Sequence, residues 1–387
     1  MLFDRLRPLS RETKRILNIV EPCLLKDDFK RLKELVVKRK VVLSFKSPKT
    51  KLMDFSYPMV EAIGNDESVE SFAELINKQL KFHFYEQAFK EFLKKKPFHI
   101  LEDALGYDIV GLEEIKAAIV LSLVSKEPVH ILLFGDPGTG KTKLIENVKR
   151  LASKCVFGLG SGISGVGLSL TVKGNEVIKG LLPLANEGVC CIDELNLMKE
   201  NDRAALYSAM ENGIVTYDKG NKHITLPAKI TLFATANPGK GAILLKDKSV
   251  AKTQLPFDPA LVSRFHLVFF IRKQSKEKFK EITKRLMNNS KAKFSENDFE
   301  FLREFVDYIK DVEIYFPEDV KEYVSKLSVK LKEEEENFFM PLTPRKIVGL
   351  VRLATAYAKL FDSKEVQKKH VDFAFNLIEK SLKEFIV

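Results

Sequence analysis

The chain has no tryptophan and only four cysteines in 387 residues. Cys23, Cys155, Cys190 and Cys191 contain no C-x-x-C pair, which argues against a zinc site or a disulfide framework. Cys190 and Cys191 fall in an apolar run and read as small buried hydrophobes. The six histidines, at 83, 99, 130, 223, 266 and 370, lack metal-ligand spacing. No apolar run reaches the roughly 18 residues that a membrane span requires. The opening Met1-Leu2-Phe3-Asp4-Arg5 is not a secretory h-region, so a protein inside the cell, neither secreted nor in a membrane, is expected.

What remains is ordinary for a soluble globular chain, with 45% hydrophobic and 30% charged residues. Its length accommodates a full nucleotide-binding domain with a second domain beside it. Lysine and arginine exceed aspartate and glutamate by 64 to 53, a net charge of +11. That balance is compatible with a nucleic-acid partner. A lysine-rich surface with many glutamate partners equally fits a heat-adapted protein.

The chain is organised around His130–Thr142. Its apolar start reads as a buried strand and its end as the first turn of a helix. Between them Gly135, Asp136, Pro137, Gly138, Thr139, Gly140, Lys141 and Thr142 match G-x-x-x-x-G-K-[ST] in the strand–loop–helix setting this pattern needs. Glycines let successive backbone N–H groups turn inward around a polyphosphate, and the helix N-terminus adds positive potential. Lys141 is expected at the β- and γ-phosphates and the Thr142 hydroxyl at Mg²⁺, so the cofactors expected are ATP and Mg²⁺.

About fifty residues on, Gly188–Ile192 reads as a buried strand that delivers Asp193 and Glu194 at its C-terminal edge, where open α/β sheets place ligands. Asp193 suits the metal, and Glu194 suits the polarising of an attacking water. A further buried strand, Ile230–Ala236, ends at Asn237-Pro238. The Asn237 amide could orient that water or simply start a turn. Asp258–Phe265 presents Arg264 just before the strand Leu267–Ile271, either as a surface residue or as a finger completing a neighbour's site. Thr343-Pro344-Arg345 reads as an N-cap with proline in the first turn, placing Arg345 at the start of a helix in a small lid.

Elsewhere, helical spacing marks Arg11–Val20, Lys26–Lys40 and Val69–Lys95, with a strand at Val41–Phe45. The basic runs Lys38–Lys40, Lys46–Lys51 and Lys94–Lys96 could meet phosphates or be solvated helix faces. Lys96-Pro97 ends the last of these helices and marks a linker. Gly111–Val120 reads as amphipathic, and glycine-studded Gly158–Gly180 as a long functional insertion. Asn201–Asn212 reads as a helix and Gly213–Leu226 as a hairpin tipped by Tyr217–Lys222. The last third predicts helices at Ser275–Met287, Ser295–Lys310, Pro317–Glu335, Pro344–Phe361 and Val366–Glu384.

Together these stretches resemble an AAA+ ATPase, and specifically the minichromosome maintenance (MCM) family of replicative helicases, over roughly residues 100–387. The distinguishing signs are Gly162–Val172 followed by Gly180–Gly188, then Asp258–Phe265, then Leu342–Arg345 leading into Leu350–Ala358. The resemblance implies an α/β fold: a three-layer αβα P-loop core with a parallel sheet, a helical lid, and a small, mainly helical N-terminal domain. The expected division is 1–99, 100–274 and 275–387. It further implies Lys141 and Thr142 as Walker A and Asp193 and Glu194 as Walker B. Asn237 becomes sensor 1, Arg264 the arginine finger and Arg345 sensor 2. Because the family's finger acts across a subunit boundary, a homo-oligomeric ring, usually a hexamer, is implied, with DNA as partner. The basic tip of the family's DNA-pushing hairpin is matched by Lys219 or Lys222. Such a protein would work in the cytoplasm at the nucleoid, or in the nucleus of a eukaryote.

The chain departs from the family pattern in four ways. About 100 residues precede the ATPase where the family has a longer region with an oligonucleotide-binding barrel and often a zinc module. His266 stands where the family generally has Asp, and Gly140-Lys141-Thr142 where many members have Ala-Lys-Ser. No winged-helix tail is expected after the lid. These departures bear on DNA loading and on whether the chain is a principal helicase or a shortened paralogue, and leave the ATPase chemistry intact. MoxR-like and magnesium-chelatase-like ATPases, which remodel proteins, share the insertion and suit Ala209–Thr216 and Leu226–Ala228. Ser263-Arg264-Phe265 and the helical run after Arg345 favour MCM. A non-motor DNA-binding or scaffold protein would be expected to have lost one of Lys141, Asp193, Glu194, Asn237 or Arg264.

Overall fold

Apolar runs without alternation make strands that are covered on both faces. Ile131–Gly135 (β3), Val189–Asp193 (β7) and Leu267–Ile271 (β11) are buried at every position. The structure, a computed structural model, describes residues 9–174, 176–219, 222–239, 253–273 and 293–386, with 280, 283 and 284; the side chains of Lys219 and Lys222 lie outside the described atoms. Contacts divide the chain into two compact units, one of Met1–Lys95 with Ser295–Asp298 and one of Lys96–Phe294 with Phe299–Val387.

In the first unit, helices Arg11–Val20 (α1) and Lys26–Val37 (α2) precede an antiparallel hairpin of Val41–Lys46 (β1) and Tyr57–Ala62 (β2), and a long helix, Glu67–Leu93 (α3), follows. Ser10 caps α1 and Asp66 caps α3 through their side chains. Ile16, Val20, Leu32, Leu43, Val60, Phe72, Ile76 and Leu80 share one core. The Asn77 amide locks α3 to the hairpin by bonding both the N–H (2.7 Å) and the carbonyl (2.8 Å) of Val60.

The second unit begins where Lys96 takes a left-handed conformation (φ 55°) and Pro97 opens the helix Pro97–Gly106 (α4). The proline that reads as a stop is here the first residue of a new helix. Helix Glu113–Val124 (α5) is buried at every position from Ile115 to Val124, so the amphipathic reading of Gly111–Val120 is corrected. Even Lys116 is covered, its ammonium donating to the Ile109 carbonyl at 2.8 Å while its stem lies on Gly106.

The parallel sheet has six strands. Between β3 and β11 along the chain come Lys141–Asn147 (α6), Cys155–Leu159 (β4), Gly165–Leu168 (α7), Leu170–Lys173 (β5), Glu176–Lys179 (β6), Leu181–Leu184 (α8), β7, Ala204–Asn212 (α9), Ile214–Lys219 (β8), Lys222–Pro227 (β9), Thr231–Ala236 (β10) and Pro259–Val262 (α10). The last third holds Glu296–Asp311 (α11), Glu318–Glu333 (α12), Pro344–Leu360 (α13), Lys368–Lys383 (α14) and Phe385–Ile386 (β12). The sheet order is β12-β11-β3-β10-β7-β4, every pair parallel. The glycine-rich insertion is no plain loop: it contains α7 and the antiparallel hairpin β5–β6. β8 and β9 form the expected second hairpin, closing at the Lys219–Lys222 pair. Its tip residues Gly220 and Asn221, and most of the helix expected at 275–287, lie outside the described residues.

The C-terminal helices pack on this core through aromatic side chains. Phe270 stacks on Phe339 at 4.2 Å and meets Phe134 edge-on at 5.5 Å. Tyr357 of α13 stacks on Phe373 of α14 at 4.0 Å, with Phe98 of α4 edge-on to both. Phe270→Ala should therefore destabilise the second unit by about 3–5 kcal/mol, as expected for an emptied aromatic core site. The check is a lower urea midpoint at unchanged slope for that unit's transition.

Candidate nucleotide site and a distal arginine pair

Parallel pairing gathers the strand C-termini at one edge, and the phosphate loop leaves β3 there. Its base is tied to β11: the Asp136 amide donates to the Ile271 carbonyl at 3.0 Å, and the Asp136 carboxylate accepts from the Lys273 amide at 2.8 Å. Gly138 and Gly140 sit at φ +76° and +85°, conformations that a side chain would strain, and this turns the loop back on itself before α6 starts. Beside it, Ile109 and Leu112 reach within 3.8 and 4.0 Å of where a Cβ on Gly140 would stand. Asn147 anchors α6 to that segment by donating to the Leu105 carbonyl and to Asp108.

Lys141 is almost wholly buried, its ammonium donating to the carbonyls of Gly135 (2.9 Å) and Asp136 (2.5 Å). Burial pushes its pKa down to about 8, against the opposing pull of the Asp136 and Asp193 carboxylates. Asp193, at the end of β7, is buried and accepts from the Thr142 hydroxyl at 3.0 Å and from the Thr235 hydroxyl. Thr235 also accepts from the Glu194 amide at 3.0 Å, while Glu194 itself is held at φ 51°. Asn237 follows β10 at the same edge, its backbone N–H donating to the Asn196 side-chain oxygen at 3.0 Å. Gly135–Thr142, Asp193, Glu194 and Asn237 thus assemble as the sequence suggests. Thr235 and Asn196 join them from positions that no motif marks. Amides at a helix start beside a buried cation suit a polyphosphate, and a carboxylate next to a hydroxyl suits Mg²⁺.

Arg264 and Arg345 lie elsewhere. β11 pairs with β3 from Leu267 opposite Ile131 to Ile271 opposite Gly135. Arg264, just before Leu267, is therefore at the N-terminal edge, a strand length of about 17 Å from the phosphate loop. There Arg264 donates to the Ala260 carbonyl at 2.7 Å, pairs with Glu211 and lies over the Tyr207 ring at 4.9 Å. Arg345, in the first turn of α13, stands 4.0 Å from the same Glu211 and 3.5 Å from the Ser263 carbonyl. Thr343 occupies the cap position, but its hydroxyl makes no cap bond and, among the described residues, has no partner. The two arginines, Arg352 and His266 line one cavity of about 490 Å³. His266 accepts from the His130 amide at 2.9 Å, and burial holds its imidazole neutral, with its pKa down to about 2.

Among the described residues, no group of three or more His, Cys, Asp or Glu is placed to hold a metal, and no helix is long and apolar enough to cross a membrane.

A model of the MCM P-loop domain matches residues 85–290, and one of the MCM AAA-lid domain matches residues 300–382. The chain is 31% identical over 312 residues to the DNA replication licensing factor mcm7 of Schizosaccharomyces pombe, covering 73% of this chain and 41% of that one. It is 30% identical over 312 residues to the DNA replication licensing factor MCM7 of Arabidopsis thaliana, covering 73% and 43%. It is 30% identical over 298 residues to the minichromosome maintenance protein MCM of Saccharolobus solfataricus, covering 71% and 43%. The chain spans about two fifths of the length of the curated relatives it matches.

The state of Lys141 makes binding pH-dependent. Below about pH 8 the free loop already carries the charge a phosphate needs; above it, binding must recruit a proton. Affinity for ATP should be level near neutrality and fall by up to about tenfold per pH unit above pH 8. Calorimetric titration checks this, and Lys141→Met should bind weakly without that slope. A flat affinity from pH 8 to 9.5 in the unmodified protein would sink the assignment.

Proposed function

The chain belongs to the MCM family, and on that premise we propose that it is an ATP-dependent DNA translocase or helicase that hydrolyses ATP between the subunits of a homo-oligomeric ring, usually a hexamer. One observation carries the reading. Lys141, Asp193 and Glu194 stand at one edge of the sheet, and Arg264 and Arg345 at the other. The arginines are too far to serve their own loop, so they serve a neighbour's.

The loop amides and Lys141 would hold the triphosphate, and Ile109 and Leu112 offer an apolar wall for the base. Thr142 and Asp193 would hold Mg²⁺, which supplies charge neutralisation on the phosphates. Thr235 fixes the Asp193 carboxylate in place. Glu194 is the general base that takes a proton from the attacking water, and Asn237 orients that water. Arg264 and Arg345 from the adjoining subunit stabilise charge on the transferred phosphoryl group. Positions 219 and 222 close the β8–β9 hairpin, where lysines grip phosphates without reading bases, as a moving contact requires. The matched MCM lid favours this reading over the protein-remodelling ATPases.

The test is the ATPase rate with and without single-stranded DNA at low and moderate salt. Stimulation that fades as salt rises is expected of a motor held by phosphate contacts. Hydrolysis indifferent to DNA would return the protein-remodelling alternative. For the shared site, Arg264→Ala should abolish turnover in a uniform assembly and regain part of it when mixed with Lys141→Ala subunits. Absence of any regain would refute action between subunits.

A further inference from the structure

Two guanidiniums that converge on one spot repel each other, and each is charged at every accessible pH. The structure sets the Glu211 carboxylate between them. Glu211 lies in the last turn of α9, pairs with Arg264 and stands 4.0 Å from Arg345. Arg264 has further holds in the Ala260 carbonyl at 2.7 Å and the Tyr207 ring at 4.9 Å, and Tyr207 is itself bonded to Asp258. Among the described residues, Arg345 has only the Ser263 carbonyl at 3.5 Å besides.

We propose that Glu211 is a positioning residue for the arginine pair: its carboxylate cancels their repulsion and presents both guanidiniums together to the triphosphate of the neighbouring subunit. The proposal rests on the between-subunit reading above. Glu211 touches no substrate; it acts through Arg264 and, more strongly, through the less tethered Arg345. Its removal leaves the subunit's own phosphate loop intact, so turnover should fall while the KM for ATP changes little. Misplacing such groups by an ångström costs on the order of tenfold to a hundredfold in rate.

The experiment uses the whole chain and mixtures of variant subunits. Glu211→Ala should lower kcat about tenfold or more. Mixed with Lys141→Ala it should regain activity, because the Lys141→Ala subunit offers an intact arginine pair to an intact loop. Mixed with Arg264→Ala it should regain none, because both carry the defect on the same face. Regain with Arg264→Ala would place Glu211 on its own subunit's nucleotide and overturn the proposal, as would undiminished turnover. Failure of Glu211→Ala to recover with Lys141→Ala, in conditions where Arg264→Ala does recover, also overturns it. Failure of Arg264→Ala itself to recover indicts the between-subunit reading instead. Glu211→Gln keeps size and hydrogen bonding without charge; it should give the same pattern at smaller amplitude, and serves if alanine does not fold.

Discussion

The site depends on the backbone ladder that sets β3 between β10 and β11. Parallel pairing in register brings the ends of β3, β7, β10 and β11 to one edge, and the candidate site residues are whatever the sequence places just past those ends. The loop after β3 is then pinned at its base by two bonds from Asp136 to the end of β11. A loop whose root is fixed and whose glycines supply the turns is organised before any phosphate arrives. The same ladder puts Arg264, three residues before β11, at the far edge. One set of backbone hydrogen bonds therefore both assembles the loop and separates it from the arginines.

Electrostatics at the loop edge follow from burial. Lys141 and Asp193 are both almost excluded from water, and each is satisfied by neutral partners: carbonyls for the lysine, hydroxyls for the aspartate. Burial outweighs the pull of the Asp136 and Asp193 carboxylates on this ammonium, which is why its pKa falls to about 8. The missing negative charge is what a triphosphate brings.

The nucleotide edge was largely legible in the sequence because its groups sit at fixed offsets from buried strands, and runs such as Ile131–Phe134 and Val189–Ile192 announce those strands. Groups recruited across the register were not legible. Thr235 looks like any strand threonine until β10 pairs with β7 and sets it beside Asp193. Glu211 looks like a solvated residue near a helix end until α9 meets Arg264 and Arg345. The amphipathic reading of Gly111–Val120 erred for a related reason. Lys116, Glu113 and Glu114 lent α5 an amphipathic look, yet Lys116 buries its stem and finds a carbonyl. Lys96-Pro97 was legible as a boundary, since α3 ends at Leu93 and the first unit at Lys95, whereas nothing in the local pattern says that Lys96 turns left-handed and lets a second helix begin. β2 escaped notice because it is half of a hairpin whose partner lies across a ten-residue connection, Ser47–Ser56.

The separation of the two edges also constrains assembly. The loop edge and the arginine edge are different surfaces of one subunit, so the proposed meeting between them is heterologous. Such contacts propagate head to tail, closing as a ring or continuing as a filament, and never stop at a twofold dimer. On the proposed between-subunit reading, each subunit gives its arginines to one neighbour and takes them from the other. The helix that carries Glu211 runs through Gly213 directly into β8, so two residues of backbone separate the carboxylate that pairs with Arg264 from the β8–β9 hairpin.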